Sequence, residues 1–160
     1  MASIGWGKPK IWISKLSAQG APTTWVEVPT PVQDSTQLVP TKGDKKEAKV
    51  EGGENEAVKY MRNTYALEFS IRAAEGRAKL AEDDEGVISG EYALKLQPED
   101  PDVTGIAIDR GTLSFEPSYT AEDGVLWKYV LDALIPTDTT RKSVEFEVIT
   151  DPTASNSGGQ

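Results

Sequence analysis

The sequence predicts a single mainly-β domain, an antiparallel β-sandwich or partly closed barrel with one short helix and a protruding polar hairpin. Three observations carry this expectation. Apolar residues alternate with polar ones in several short runs, which is the period of a half-buried strand. The runs are separated by Gly, Pro and Asp clusters at hairpin spacing, not by the longer helical stretches of βαβ units. At 160 residues, 38% hydrophobic and 27% charged, the chain suits one core and is short for two.

The elements follow in order. Residues 1–9 are Gly-rich and predict an N-terminal arm. Residues 10–16 (KIWISKL) put Ile11 and Ile13 on one face and Trp12, Ser14 and Leu16 on the other, a strand. Residues 24–28 (TWVEV) predict a second strand stopped by Pro29 and Pro31, and residues 35–39 a third. Residues 45–51 and 54–61 flank Gly52 and Gly53, whose freedom at positive φ suits a tight turn. Their charged, weakly apolar flanks predict a long polar hairpin over 41–62 with no core face of its own. Such a hairpin is marginal alone and needs a partner to steady it.

Residues 63–73 (NTYALEFSIRA) give the clearest strand, with Tyr65, Leu67, Phe69 and Ile71 alternating with Ala66, Glu68, Ser70 and Arg72. Residues 77–85 (RAKLAEDDE), ending at Gly86, predict the one helix, although the acidic run 82–85 opposes its dipole. Tyr92, Leu94 and Leu96 mark a further strand. Asp109, Arg110 and Gly111 read as a turn between strands at 103–108 and 113–117. Residues 124–135 place Val125, Trp127, Tyr129, Leu131, Ala133 and Ile135 on one apolar face, and aromatic and β-branched enrichment favours a strand. A last strand over 142–150 aligns Val144, Phe146 and Val148, and residues 151–160 predict a flexible tail. Residues 10–150 thus form one β domain.

Composition excludes much chemistry. The chain has neither His nor Cys, so thiol nucleophiles, disulfides, the usual zinc sites and the Ser-His-Asp relay are out of reach, and no enzyme activity is expected. No cofactor is expected either. Seventeen basic residues against 26 acidic ones give a net charge of -9, which repels nucleic-acid phosphates. No apolar run reaches membrane-spanning or signal-peptide length, which predicts synthesis in the cytoplasm and no membrane partner.

Candidate sites are few. Three acidic groups, at Asp83 to Glu85, at Glu99, Asp100 and Asp102, and at Glu122 and Asp123, offer oxygens for Ca²⁺, but none follows the twelve-residue calcium loop and solvated turns are the expectation. Glu68 and Glu91 as a glycosidase pair have nothing in the sequence to bring them together. Trp6, Trp12, Trp25 and Trp127 suit core or interface packing more than sugar stacking. The basic group Lys42, Lys45, Lys46 and Lys49 reads first as a solvated hairpin, and second as a docking surface for an acidic patch on a neighbouring subunit.

The order of these features resembles the major tail tube proteins of long-tailed bacteriophages and the inner-tube proteins of contractile injection systems. The residues that carry the likeness are STQLV at 35–39 leading into the charged TKGDKKEAKVEGGE at 41–54, then NTYALEFSIRAA at 63–74, the helix expected at 77–85, and the aromatic LWKYVLDALIP at 126–136 followed by SVEFEVI. The resemblance implies a β-sandwich flanked by a helix, closed into rings that stack into a hollow tube, with the hairpin touching the next subunit or ring. It implies a virion structural protein whose partners are copies of itself, other tail proteins, and DNA that passes without tight binding. The assembly contacts expected on this basis are Lys45, Lys46, Lys49, Glu51, Glu54, Lys59, Tyr60 and Arg62. The alternatives are a carbohydrate-binding or other surface β-sandwich, a capsid decoration protein, or a tail terminator.

Overall fold

A computed structural model describes residues 7–153. Ten strands appear in it: β1 (Lys10–Lys15), β2 (Val26–Glu27), β3 (Gln37–Thr41), β4 (Lys45–Lys49), β5 (Asn55–Tyr60), β6 (Thr64–Arg72), β7 (Tyr92–Gln97), β8 (Gly105–Thr120), β9 (Gly124–Ala133) and β10 (Glu145–Glu147). All pairings are antiparallel. The main sheet runs β2-β1-β7-β8-β9-β6-β3, with β10 also on β8, while β4 and β5 form a sheet of their own. The path has two free ends, β2 and β3, so the sheet is not a closed barrel.

Register explains the core. Leu38, Leu67, Leu131 and Leu113 stand side by side across β3, β6, β9 and β8, and Phe69, Tyr129 and Phe115 form the next row. Tyr129 lies 5.7 Å from Phe69 and 5.1 Å from Phe115 between ring centroids. With Ile11, Ile13, Leu94 and Ile108 these side chains make one buried cluster. Among the described residues no helix covers that face, so the sheet curls over its own core. Leu38 of β3 and Leu67 of β6, at one end of the sheet, line the same cleft as Leu96 of β7 and Ile106 of the central β8. The opposite face of β3-β6-β9-β8 carries Glu68, Ser70, Lys128, Ser114 and Glu116, as strict alternation requires.

The expected turn at Asp109, Arg110 and Gly111 is instead the middle of the 16-residue β8. Between the pairs Tyr92 with Gly111 and Leu94 with Ile108, β8 holds one residue more than β7, which is a bulge. A bulge bends the strand and re-aims its side chains. Asp109 is thereby paired with Arg141, and Arg110 with Glu91 at 2.8 Å. Turn-forming residues serve a bend here, not a reversal. Gly111 sits where an added Cβ would lie 2.7 Å from the Asp132 carbonyl oxygen.

The helix expected over 77–85 does not form; the segment is a loop laid along the core. Nine residues give a helix little intrinsic stability, and tertiary bonds win. The Leu80 N–H donates to the Tyr129 hydroxyl at 3.1 Å, and Leu80 and Ala81 pack on the cluster. The loop ends in a tight reversal in which Asp84 and Val87 exchange backbone hydrogen bonds and Glu85 and Gly86 take positive φ. Val87 then bridges to Ser114 of β8.

β1 is buried on both sides, and Trp12, expected in core or interface packing, sits with Ala107 and Ile149 in a second small cluster. The chain after β10 folds back far enough for the Ile149 carbonyl to accept a bond from the Gln97 side chain at 2.7 Å. The final strand is only three residues long, and of its expected face Val144 is buried while Phe146 and Val148 are exposed. Most of the expected tail (151–160), Trp6 and most of the expected arm (1–9) lie outside the described residues.

Candidate assembly surface

The hairpin of β4 and β5 projects from the domain between β3 and β6. Its neck is tight. Gly43 has the Met61 and Arg62 carbonyls against it, where no Cβ would fit, and its N–H donates to the Asn63 side chain at 3.0 Å. The Met61 N–H donates to the Asp44 carbonyl at 2.7 Å. At the tip, Gly52 (φ 94°) and Gly53 (φ 91°) complete the reversal, and the Val50 N–H donates to the Glu54 carbonyl at 2.9 Å. Every residue of both strands is exposed, and neither strand packs on another element. Such a ribbon buries no core and draws stability only from its ladder and cross-strand pairs.

The two faces differ. One carries Lys45, Glu47 and Lys49 opposite Tyr60, Val58 and Asn55. Glu47 binds Lys45 at 2.8 Å and Lys49 at 3.6 Å, and the Lys45 ammonium holds its carboxyl below the usual range. Lys42 lies over the Tyr60 ring at 5.4 Å. The other face sets Lys46 directly opposite Lys59 and Ala48 opposite Ala57. Like charges directly opposed in a ladder repel. Among the described residues, no carboxylate pairs with either lysine.

The hairpin therefore gathers seven of the eight expected contact residues: Lys45, Lys46, Lys49, Glu51, Glu54, Lys59 and Tyr60; Arg62 stands exposed at the neck. Exposed Val50, Val58 and Met61 join them. The charge pattern drew attention to the lysines, but weak apolar residues among charges gave no such signal.

The remaining candidates separate. Glu68 is held by Gln37 (3.1 Å) and Lys128 (3.6 Å), and Glu91 by Arg110. Asp83 accepts from the Gly86 N–H and from Lys79, and Asp100 from the Asp102 N–H, while the Thr120 hydroxyl donates to the Asp123 carboxylate at 3.5 Å and accepts the Asp123 N–H at 3.0 Å. No group of three or more acidic residues placed to hold a metal occurs among the described residues. Trp12 is buried, and Trp25 and Trp127 are half-buried, Trp25 under the Lys95 ammonium at 5.2 Å. No helix among the described residues is long and apolar enough to cross a membrane. Neither a family model nor a curated protein matches the chain.

Proposed function

We propose that the chain is a structural subunit that polymerises as stacked rings into the tail tube of a long-tailed phage, the conduit for DNA delivery. The observation that carries this reading is the exposed β4–β5 hairpin, an ordered element that contributes nothing to the core and presents charged and apolar side chains outward. Elements of that kind are explained by a partner surface. Two features add support. The sheet keeps free edges at β2 and β3, each a template for a strand of another copy. Pro40 sits in β3, where a proline is tolerated because the strand is an edge.

The polar face of β3-β6-β9-β8, with its serines and mixed charges, suits a water-lined channel, and a chain of net charge -9 lets DNA pass without adhering. The carbohydrate reading has less behind it, because none of the three described tryptophans offers an exposed ring. Negative-stain electron microscopy of the purified protein is the direct test. Long hollow tubes are the expected result, and removal of residues 45–59 should leave folded monomers that form none. Isolated rings would indicate a terminator, and monomers or trimers a decoration protein. Tubes formed by the deletion variant would remove the hairpin from the assembly.

A further inference from the structure

The charges of the hairpin are sorted along its length. Its base, residues 42–46 and 59–62, carries Lys42, Lys45, Lys46, Lys59 and Arg62 against Asp44, a net of +4. Its distal part, residues 47–56, carries Glu47, Glu51, Glu54 and Glu56 against Lys49, a net of -3. The sorting also has a side. On the face of Lys45 and Glu47 the charges neutralise one another within the hairpin. On the opposite face the Lys46 and Lys59 ammonium groups flank the small side chains of Ala48 and Ala57 with no acid between them. The tip glutamates Glu51 and Glu54 are exposed, beyond the reach of the base. A strand of this length spans about 16 Å, well over a Debye length at physiological salt, so tip and base of one arm do not neutralise each other.

We propose that the hairpins of neighbouring copies pair head to tail: the acidic tip of one arm docks on the Lys46 and Lys59 face at the base of the next. This rests on the tail-tube reading above and adds the partner surface to it. The occupant is a second copy because the complementary charge is carried by the same element. A tip-to-base contact is heterologous, so it can propagate from copy to copy. The alanine shelf lets a turn approach closely, and the two lysines supply ammonium donors for its carboxylates.

The test uses two full-length variants, each reversed at one end. K46E/K59E brings the base from +4 to 0 and makes its docking face acidic, against an acidic tip. E51K/E54K/E56K has a basic base and a basic tip. Far-ultraviolet circular dichroism and the melting temperature confirm that both fold, since none of these side chains touches the core. Self-association is measured by analytical ultracentrifugation in low salt. Each variant alone should associate at least about tenfold more weakly than wild type, because like charges now meet at the contact. An equimolar mixture should recover association to within about threefold, since each tip then finds an opposite base.

Failure is separable. A wild-type protein that does not associate at any concentration overturns the tail-tube reading and this inference with it. A wild type that associates while both variants match it overturns the arm-to-arm contact alone. Variants that fail alone and stay apart when mixed also overturn it, because the arms then meet some other surface. Binding of a DNA oligonucleotide that is lost in K46E/K59E, with association unchanged, would assign the lysine face to phosphate instead.

Discussion

Tyr129→Phe isolates one hydrogen bond in the middle of the core. Tyr129 is fully buried in β9 between Phe69 and Phe115. Burial raises its hydroxyl above the ordinary tyrosine range, so it stays protonated at any working pH. The hydroxyl accepts the Leu80 N–H at 3.1 Å. Phenylalanine keeps the ring, its stacking and nearly all of its buried area. What is lost is the acceptor, and the half-buried Leu80 N–H is left unpaired. Such an orphaned donor costs about 1–2 kcal/mol. For a domain of this size that is a fall of about 3–6 °C in Tm. Urea unfolding should show a lower midpoint at unchanged slope, the mark of altered stability without altered compactness. The 77–83 loop should also open locally, so trypsin should cut faster after Arg77 and Lys79. Tyr129→Ala, which also empties the ring site, should cost about 3–5 kcal/mol. An unchanged midpoint and unchanged cleavage in Tyr129→Phe would show that the loop is not held by this bond, and the account of why the helix fails to form would go with it.

Three other outcomes are expected. Gly111→Ala places a methyl group 2.7 Å from the Asp132 carbonyl oxygen and 3.0 Å from Leu131 Cγ, and the backbone of β9 cannot give way freely, so urea unfolding should show a loss of about 1–3 kcal/mol. The Arg110 guanidinium holds the Glu91 carboxyl below its usual range, and the Gly86 N–H, then Lys79, do the same for Asp83. A lowered folded pKa stabilises above the ordinary carboxylate range and the benefit fades as pH falls through the folded value, so stability should be level near neutrality and decline under acid. Glu91→Gln should flatten part of that decline in a pH series of denaturation midpoints. Deleting residues 45–59 should shift the unfolding free energy by no more than about 0.5 kcal/mol, checked by the same urea titration, because the hairpin buries nothing.

Much of the fold was legible where one face of a strand is buried and the other is wet. β6 and β9 alternate in sequence because they are half-buried in fact, so Leu67, Phe69 and Ile71 and their partners Tyr129 and Leu131 could be assigned to the core from spacing alone. The hairpin was legible through Gly52 and Gly53 between polar flanks. Periodicity could not report burial on both faces. The alternation in β1 gave no sign of a second cover over Trp12, because that cover, Ala107 and Ile149, comes from distant parts of the chain. Nor could local composition distinguish a turn from a bulge. Asp109, Arg110 and Gly111 suit either, and the choice lies with Arg141 and Glu91, far away in sequence. The failed helix follows the same rule, since Tyr129 lies 49 residues from the amide it captures.

The candidate surface and the core also respond to different forces, and this gives a way to examine them apart. The core is held by apolar side chains from β1, β6, β7, β8 and β9, whose burial is indifferent to moderate salt. The hairpin has no such anchor. Its ion pairs, Lys45 with Glu47 and Lys49 with Glu47, are exposed, and pairs of that kind contribute little and weaken with ionic strength. Sodium chloride raised from about 0.05 to 0.5 M shortens the Debye length from roughly 14 Å to roughly 4 Å. Unfolding of the domain should hardly notice. Association through Lys46, Lys59 and the tip glutamates should weaken steeply, whereas association through the apolar Val58 and Met61 or through the free edges of β2 and β3 should persist. The salt dependence of assembly, set against the salt independence of folding, therefore tells which part of the exposed surface brings copies together.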